Sequence, residues 1–374
     1  MLIFYIYKSN IKGFLFFHFL FFVIIKKIFS EDCNTHTFSE KHFPKVLTLS
    51  NEYKLMITMS GIYSFYPKLS SIAYSYNFTK QQMPATNFEE GQNYIDKADM
   101  SQFSGDDDEN EIKYVLCIVC KVVYVISEKG KVLFYKDISE DLNGADFPIS
   151  LVAYKYLDGI YYFTVGYNNP GSFFLYFFYF SINFISDTSG EISLSYQTSL
   201  RASYNRVTYF VYNNNLFCRR MVSSSIGIVL ACFCGYQDYK ESAMVISFDP
   251  DNEFSSNLIS NIYMDPDEEK IKYVSSAVNK DKTKALFCFV MKSEEIEDEI
   301  AKCLNYDINN NILSNATIEF DYCSFSLYGL KVYYFDKANE YVFSCVDGDK
   351  NFFMKRMDEN FNPKIIATIC INEN

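Results

Sequence analysis

The sequence contains no tryptophan and very little histidine, glycine or proline. Its 374 residues include 3 His, 14 Gly and 8 Pro, against 32 Tyr and 37 Phe. A catalytic triad, a Cys–His pair or a histidine-based zinc site therefore has almost nothing to draw on. His18 lies in an apolar N-terminal segment, and His36 and His42 fall in a short polar stretch, which indicates a solvated strap rather than a catalytic base.

Sequence patterns of phosphate and nucleotide chemistry are also missing. There is no Gly-x-x-x-x-Gly-Lys, no Gly-x-Gly-x-x-Gly and no Gly-x-Ser-x-Gly, which excludes a Walker loop, a dinucleotide fingerprint and a nucleophile elbow. The net charge of -12 disfavours nucleic acid and anionic lipid as partners, because an acidic surface repels phosphate groups. These absences predict a protein that is not an enzyme, has no cofactor and binds neither nucleotide nor nucleic acid.

The first 30 residues have the pattern of a secretory signal peptide. Lys8 and Lys12 precede the apolar run 13–25, and Ser30 supplies a small residue at a suitable cleavage point. Because the run is hydrophobic enough to remain in a bilayer, an uncleaved signal anchor is the alternative. Either way the chain is predicted to enter the secretory pathway and to be secreted or displayed at the cell surface, touching a membrane only through this segment. The predicted organisation is 1–30 signal peptide or anchor, 31–44 N-terminal strap and 45–374 repeat domain.

Cysteine usage and glycosylation sequons fit an exported protein. All 11 cysteines follow residue 30, and an odd number leaves at least one thiol outside any set of intramolecular pairs. Disulfides and small buried hydrophobes are both open roles for these residues. The pairs predicted first are Cys288 with Cys303 and Cys345 with Cys370. Two acceptor sequons, which begin at Asn77 and Asn315, would carry N-linked glycans where they face solvent.

Cys117 and Cys120 form a Cys-x-x-Cys motif within the apolar stretch 114–126. If this stretch is one continuous strand, residues three apart point to opposite faces. Such a geometry does not suit a shared metal ion or a redox pair. A structural role is therefore predicted for both cysteines.

From residue 45 onward, short apolar runs alternate with clusters of Asn, Asp, Gly and Lys, which is the pattern of an all-β chain. The abundance of aromatic residues agrees, since they favour strands. The run 173–180 is too short to span a bilayer and predicts a fully buried inner strand. Only 293–304, in which Ile296, Ile300 and Leu304 are four residues apart, predicts a short helix.

Segments of the second half repeat at a nearly constant spacing. Residues 278–289 align without a gap on 335–346 at an offset of 57, and 229–233 align on 285–289 at an offset of 56. The cysteines that these alignments place in equivalent strands are Cys232, Cys288 and Cys345. A repeated strand position of this kind predicts repeated sheet modules.

A second landmark, an Asp- and Asn-containing hairpin, follows each repeated strand. Residues 248–252, 306–310 and 357–360 each place an Asp and a turn-forming Asn between two apolar runs. Asp and Asn close such turns with their own side chains and tolerate left-handed backbone. Similar hairpins are predicted at 127–130 and 186–190.

A repeat of this length with about four strands resembles the blade of a β-propeller. The repeat domain holds about six such units, so the resemblance implies an all-β propeller of about six four-stranded blades. It concerns period and hairpin placement alone, because the sequence has no Trp-Asp pair, kelch Gly-Gly doublet or Trp-containing Asp box. A pair of β-sandwiches is the structural alternative, but it does not predict recurring cysteines.

The propeller resemblance implies that loops at the ends of the blades bind the ligand. The predicted ligand-facing residues are Asp249, Asp251, Glu253, Asp265 and Asp267. Asp347, Asp349 and Asn351 resemble the start of a calcium hairpin of integrin-type propellers. Because Phe352 stands where the turn glycine is expected, a hairpin without metal is favoured over a calcium site.

Export combined with a repeat scaffold predicts a non-catalytic adhesion or recognition ectodomain that binds a protein or glycan on a cell surface. The first alternative is a secreted glycan-processing hydrolase on the same scaffold, which needs two carboxyl groups facing the central channel. The second is a membrane-held structural protein anchored by residues 1–25.

Overall fold

A computed structural model describes most of the chain from residue 45 onward. The described ranges are 45–49, 53–58, 61–66, 71–79, 98–104, 112–142, 148–168, 174–201, 203–204, 207–208, 219–224, 227, 229–237, 240–252, 255–263, 269–279, 281–293, 299–319, 330–335, 338–346 and 352–369. Strands make up most of these ranges, which contain no helix. The prediction of an all-β chain is confirmed.

The first half of the described chain forms three four-stranded sheets. Sheet 1 comprises β1 (Lys45–Thr48), β2 (Lys54–Ile57), β3 (Gly61–Phe65) and β4 (Ile72–Asn77). Sheet 2 comprises β5 (Ala98–Ser104), β6 (Ile112–Val119), β7 (Val122–Ser127) and β8 (Val132–Asp137). Sheet 3 comprises β9 (Pro148–Leu157), β10 (Ile160–Asn168), β11 (Phe174–Ser186) and β12 (Ser189–Arg201).

A two-stranded ribbon leads to three further four-stranded sheets. The ribbon comprises β13 (Ser203–Tyr204) and β14 (Val207–Thr208). Sheet 4 comprises β15 (Arg219–Ser223), β16 (Val229–Gln237), β17 (Lys240–Asp249) and β18 (Ser255–Tyr263). Sheet 5 comprises β19 (Glu269–Val278), β20 (Lys284–Ser293), β21 (Glu299–Asp307) and β22 (Ile312–Glu319). Sheet 6 comprises β23 (Lys331–Phe335), β24 (Glu340–Val346), β25 (Phe352–Asp358) and β26 (Pro363–Ile369).

All six sheets have the same topology. In each, four strands that follow one another along the chain pair in order, and every pair is antiparallel. The predicted number of modules, about six with four strands each, agrees with these six sheets. The five predicted hairpins all join the third strand of a sheet to its fourth.

The side chains that the sequence assigned to the hairpins close them. Asp307 accepts hydrogen bonds from the backbone N–H of Asn310 at 3.0 Å and from its side-chain amide at 3.1 Å. Asp358 accepts from the backbone N–H of Asn360 at 3.0 Å and of Asn362 at 2.9 Å. These hydrogen bonds stabilise the charged carboxylate and hold the pKa of each Asp below its usual value.

The three repeated cysteines lie on equivalent strands, as predicted, but the side chains of Cys288 and Cys345 lie on opposite faces of their sheets. Cys232, Cys288 and Cys345 lie in β16, β20 and β24, each the second strand of its sheet. Cys288 belongs to the face of sheet 5 that packs on sheet 6, whereas Cys345 belongs to the face of sheet 6 that packs on sheet 5. The two therefore point in opposite senses, because a register difference of one residue turns a side chain to the other face.

Three further expectations are corrected. The segment 293–304 was predicted to be a helix, but its described residues belong to the end of β20 and to most of β21. The pattern misled because a spacing of four residues also places side chains on one face of a strand. The stretch 114–126 is two strands joined by a turn at Cys120, whose φ is 55°. The aromatic run forms β11, which is buried on both faces at Phe177–Phe180 as predicted but is the third strand of sheet 3 rather than an inner strand.

Successive sheets contact each other through their first strands. β1 contacts β5, β5 contacts β9, β9 contacts β15, β15 contacts β19, and β19 contacts β23. A serine on a first strand accepts a hydrogen bond from a backbone N–H of the next first strand in three places. These bonds run from Ala153 to Ser101 at 2.8 Å, from Met221 to Ser150 at 3.1 Å and from Val332 to Ser275 at 3.1 Å.

The hydrophobic core lies between the sheets. Separate clusters of buried side chains join sheets 1 and 2, sheets 2 and 3, sheets 4 and 5, and sheets 5 and 6. Between sheets 3 and 4 the rings of Phe177 and Phe248 have centroids 4.5 Å apart. Each sheet therefore stabilises its neighbours by burying apolar surface between them.

Candidate functional site

The antiparallel topology gives each sheet two distinct ends. One end, which we call the hairpin end, carries the connections from the first to the second strand and from the third to the fourth. The other, the crossover end, carries the connection from the second to the third strand and the link to the next sheet. A hydrogen bond of 2.8 Å from Ile308 N to Thr283 O joins the two turns of the hairpin end of sheet 5.

At the hairpin end, turns between third and fourth strands contact the preceding sheet. In sheet 2 this turn accepts a hydrogen bond of 2.6 Å from Ser64 of sheet 1 at the carbonyl of Lys129. In sheet 5 the turn residue Ile308 is buried in the cluster shared with sheet 4. The turns of sheets 4 and 6 use acidic side chains for the same purpose.

Asp251, in the β17–β18 turn, is the centre of the first acidic contact. Its carboxylate accepts hydrogen bonds from Tyr154 at 3.1 Å and Tyr179 at 3.2 Å, and forms an ion pair with Lys155 at 2.6 Å. Tyr154 and Lys155 lie on β9 and Tyr179 on β11, so the turn of sheet 4 is held on sheet 3. Tyr162 stacks on Tyr179, with ring centroids 5.4 Å apart.

The electrostatics of this cluster keep both tyrosines protonated. Burial raises the pKa of Tyr154 and of Tyr179 well above the usual tyrosine value, and the negative charge of Asp251 raises each pKa further. A neutral hydroxyl that donates to a carboxylate is a stable structural contact. It is not an activated nucleophile or base at neutral pH.

Glu359, in the β25–β26 turn, is the centre of a second acidic contact. Its carboxylate forms an ion pair with Lys284 of β20 and accepts a hydrogen bond of 2.6 Å from Tyr334 of β23. Its backbone carbonyl accepts from the side-chain amide of Asn305 on β21 at 3.1 Å, and Asn305 in turn accepts from the buried Tyr341 at 2.8 Å. The turn of sheet 6 is thus held on sheet 5.

These contacts change the interpretation of the predicted ligand-facing residues. Asp249 closes its own turn by accepting a hydrogen bond of 2.9 Å from Asp251 N, and the side chain of Asp251 is committed to sheet 3. Glu253, Asp265 and Asp267 lie outside the described residues. The strand ends that flank Asp265 and Asp267 are Tyr263 and Glu269, which belong to the crossover end.

The carboxylates do not form a metal site where they are described. No group of three or more His, Cys, Asp or Glu side chains arranged to hold a metal ion occurs within the described ranges. Asp347, Asp349 and Asn351 lie outside them, in the segment of the chain between β24 and β25.

Asp99 is an acid on a first strand, the position at which the hydrolase alternative requires catalytic carboxyl groups. Its carboxylate accepts hydrogen bonds from the hydroxyl of Ser150 at 2.7 Å, from Leu151 N at 2.8 Å and from Met100 N at 3.0 Å. It therefore joins β5 to β9. Sequence reasoning missed this residue and the bridging serines, although Asp and Ser within otherwise apolar strands are a readable signal.

The cysteines have two different roles. Cys288 and Cys303 face each other across β20 and β21 and form a disulfide bond, as predicted. Cys345 is also disulfide-bonded, and its predicted partner Cys370 lies outside the described residues. Cys117 and Cys120 are buried thiols in the cluster between sheets 1 and 2, which agrees with a structural role. They share one cluster rather than opposite faces, because the chain turns at Cys120.

Both predicted glycosylation sequons lie on fourth strands, at the outer edges of their sheets. Asn77 is the last residue of β4, and Asn315 lies within β22. The side chains of Asn77 and Thr79 are exposed, as are those of Asn315 and Thr317. The acceptor nitrogens are therefore accessible at both places.

The predicted signal peptide or anchor and the N-terminal strap lie outside the described residues. Within the described part of the chain, no helix is long and apolar enough to cross a membrane.

Comparisons with known proteins identify no family for the chain. No protein-family model and no curated protein matches it. The similar solved structures include an apocarotenoid oxygenase from Synechocystis (9% identity, 87% of this chain and 74% of the other, TM-score 0.44). They also include a cobalt-substituted form of that protein (9%, 87% and 71%, 0.45) and a putative TolB from Agrobacterium tumefaciens (11%, 69% and 78%, 0.36). Similarity at this level assigns no activity to the chain.

Two predictions are nevertheless corrected: that the chain is not an enzyme, and that it has no cofactor. The prediction that the chain is not an enzyme is contradicted because the structures that resemble it include an oxygenase. The prediction that it has no cofactor is contradicted because one of them holds a metal. Both predictions relied on missing motifs, and the absence of a motif does not establish the absence of an activity or of a cofactor.

Proposed function

We propose that the chain is an exported six-bladed β-propeller that acts as a recognition ectodomain, with its ligand-binding surface at the crossover end. The observation that carries the proposal is the difference between the two ends of the sheets. At the hairpin end, turn residues such as Asp251 and Glu359 hold neighbouring sheets together. The crossover end carries the long connections between sheets, which are residues 78–97, 138–147, 202–218 and 320–330.

The way in which successive sheets contact each other supports the propeller. First strands contact first strands from sheet 1 to sheet 6, and buried clusters fill the spaces between the sheets. Six sheets arranged in this way around an axis form a ring when sheet 6 packs on sheet 1.

Two features support export. A disulfide bond such as Cys288–Cys303 persists in an oxidising compartment and is rare in the reducing cytosol. Both sequons present exposed Asn and Thr side chains on outer strands. Together with the N-terminal apolar segment, these features fit a secreted or surface-displayed glycoprotein.

The acidic composition indicates the chemistry of the partner. At a net charge of -12, the protein favours a cationic patch on a protein or a neutral glycan over an anionic surface. Asp265 and Asp267 remain candidates for the contact surface, because their flanking strand ends belong to the crossover end.

A binding experiment on intact cells tests the proposal. The full chain is expressed in a secretory host, and the secreted product is labelled and titrated onto a panel of cells. We expect saturable binding that unlabelled protein displaces and that weakens with salt. The double variant Asp265→Asn/Asp267→Asn should bind about 5-fold more weakly or worse, the size of effect expected when complementary charges at an interface are lost.

The matched control is Asp187→Asn, because Asp187 is exposed in the β11–β12 turn at the hairpin end. This variant should bind like the unmodified protein. Retention of the product inside the cell contradicts export. Equal weakening by the control and the double variant contradicts the assignment of the binding surface to the crossover end.

A further inference from the structure

The fourth strand of each sheet is an outer strand, which pairs with the third strand on one side. A strand at the edge of a sheet presents backbone N–H and C=O groups to which a strand of another chain can bond. Proteins prevent this pairing with charged side chains, with proline, or with bulges that twist the edge strand.

Five of the six outer strands carry at least one of these protective features. The pairing of β4, β8, β12, β18 and β26 with the third strand of each sheet contains a register shift of the kind that a bulge produces. Three of these strands also contain charged residues, among them Lys136 in β8, Glu191 in β12 and Lys364 in β26.

The outer strand of sheet 5, β22, is regular, uncharged until its last residue and exposed. It pairs with β21 without a register shift, contains no proline and has its one charged residue, Glu319, at its end. Ile312 is 59% exposed and Leu313 40% exposed, and Ser314 and Asn315 are also exposed. In the described part of the chain, no other strand pairs with the outer side of β22. A strand of this kind is a site at which a second chain can add to the sheet.

The second sequon lies in the middle of this strand. Asn315 is the acceptor, and both Asn315 and Thr317 are exposed. In N-glycosylation, Asn Nδ2 loses a proton and bonds to the anomeric carbon of a lipid-diphosphate-linked oligosaccharide, whose lipid diphosphate leaves. The product is a bulky and hydrophilic group on the edge of the sheet.

The edge of β22 suits a second copy of the same chain. Two antiparallel copies related by a two-fold axis present the same strand to each other. With Asn315 at the axis, Asn315 lies opposite its own copy and Ile312 lies opposite Ile318. In the same register Glu319 lies opposite Asn311, so no like charges face each other along the strand, although the net charge of the chain is -12.

We propose that a glycan at Asn315 keeps the protein monomeric by covering the edge of β22, and that two unglycosylated copies pair through their β22 strands. This inference rests on the export included in the proposed function. An incoming strand must approach to about 4.8 Å to form the backbone hydrogen bonds of a sheet. A sugar bonded to Asn315 lies beside the backbone of that strand, and at the two-fold axis two such sugars would meet.

The experiment compares sequon variants of the secreted full chain by analytical ultracentrifugation. Thr317→Ala removes the sequon, whereas Thr317→Ser keeps it, because serine also completes an acceptor site. Glycopeptide mass spectrometry reports the occupancy of each sequon. We expect the unmodified protein and Thr317→Ser to remain monomeric. The weight-average mass of Thr317→Ala should approach twice the monomer mass as its concentration is raised.

Three further variants assign the effect to the glycan and to β22. Asn315→Gln removes the glycan by a different substitution and should dimerise like Thr317→Ala. Thr79→Ala removes the other sequon, at the end of the bulged strand β4, and should remain monomeric. The double variant Ile312→Lys/Thr317→Ala places a charge on the unglycosylated edge and should be monomeric again.

Hydrogen exchange locates the interface, because the amides of residues 312–318 should exchange more slowly in the dimer than in the monomer. Retention of the chain inside the cell, or absence of glycan from both sequons, overturns the proposed export together with this inference. Glycan at Asn77 but not at Asn315 overturns the inference alone. So does a glycosylated protein whose Thr317→Ala and Asn315→Gln variants stay monomeric, or a dimer that Ile312→Lys leaves intact.

Discussion

At the scale of single residues, acids in the hairpins between third and fourth strands have two separate tasks. The first acid closes its own turn, as Asp249 and Asp358 do. The next acid along the chain, Asp251 or Glu359, binds the preceding sheet. Adjacent acids of this kind therefore mark a junction between sheets rather than a ligand site.

Asp251 provides the prediction at this scale. Asp251→Ala leaves the buried hydroxyl of Tyr179 without this acceptor and removes the Lys155 ion pair, so we expect a loss of about 1–3 kcal/mol in the free energy of unfolding. Most of the loss comes from the tyrosine, because a partly exposed ion pair contributes little. Asp251→Asn keeps one acceptor oxygen and should cost less. Urea unfolding followed by tyrosine fluorescence measures the difference.

Asp187→Asn is again the matched control, since it changes an exposed carboxylate in the corresponding turn of sheet 3. Its effect should lie within about 0.5 kcal/mol. If Asp251→Ala is equally harmless, the contact with sheet 3 does not hold the sheets together and Asp251 returns to the candidate ligand residues.

The sequence predicted the local task of these acids but not the distant one. Asp358 and Asn362 lie within one turn, so their hydrogen bond depends on local backbone geometry. Tyr154 is 97 residues from Asp251 in the chain, and nothing in either segment indicates the other. A hydrogen bond such as the one between Tyr154 and Asp251 can be predicted only when it is known which sheets are neighbours.

At the scale of strands, the periodic cysteines identified the second strand of three sheets but not its register. An offset of 56 rather than 57 would align Phe287 with Phe343, and these two residues do pack on preceding sheets. The turns that precede β20 and β24 differ in length, which accounts for the slip. A gap-free alignment cannot detect a difference of one residue, although that difference reverses the face of every side chain.

The Cys288–Cys303 disulfide provides the prediction for a strand pair. It closes a segment with a sequence separation of 15, for which the chain-entropy model gives about 3 kcal/mol. The double variant Cys288→Ala/Cys303→Ala should lower the free energy of unfolding by about that amount or more, because it also removes buried atoms. Denaturant unfolding of the variant and of the unmodified protein measures this loss.

Cys117→Ala is the comparison, because Cys117 is a buried thiol in the second strand of sheet 2. It should cost about 1 kcal/mol, since only a small apolar group is lost. Reducing agent should destabilise the unmodified protein more than the double variant, which keeps the disulfide bond of Cys345 but has lost the one between β20 and β21. Equal losses from Cys117→Ala and from the double variant would show that the disulfide adds no stability beyond packing.

At the scale of the whole molecule, the repeat length predicted the number and strand content of the sheets because each is a local meander. Four consecutive strands joined by short turns pair only with their neighbours in the chain. The repeat length in the sequence therefore equals the length of one sheet. The contacts between sheets depend instead on residues that are far apart in the chain. One example is the hydroxyl of Ser275, which accepts a hydrogen bond from Val332 N. A serine in an apolar strand signals that a bridge exists without naming its partner.

Closure of the ring is a property of the whole molecule and can be measured in solution. A compact ring formed by residues 45–374 should have a radius of gyration of about 20 Å, whereas the same residues should approach about 65 Å when unfolded. An open arc of the same six sheets has the same local contacts and a radius several ångströms larger. Small-angle scattering of the secreted, deglycosylated monomer distinguishes the two, with the same sample in strong denaturant as the reference. A value well above that of a compact ring would mean that sheet 6 does not pack on sheet 1, and a crossover end without a closed ring could not form one continuous binding surface.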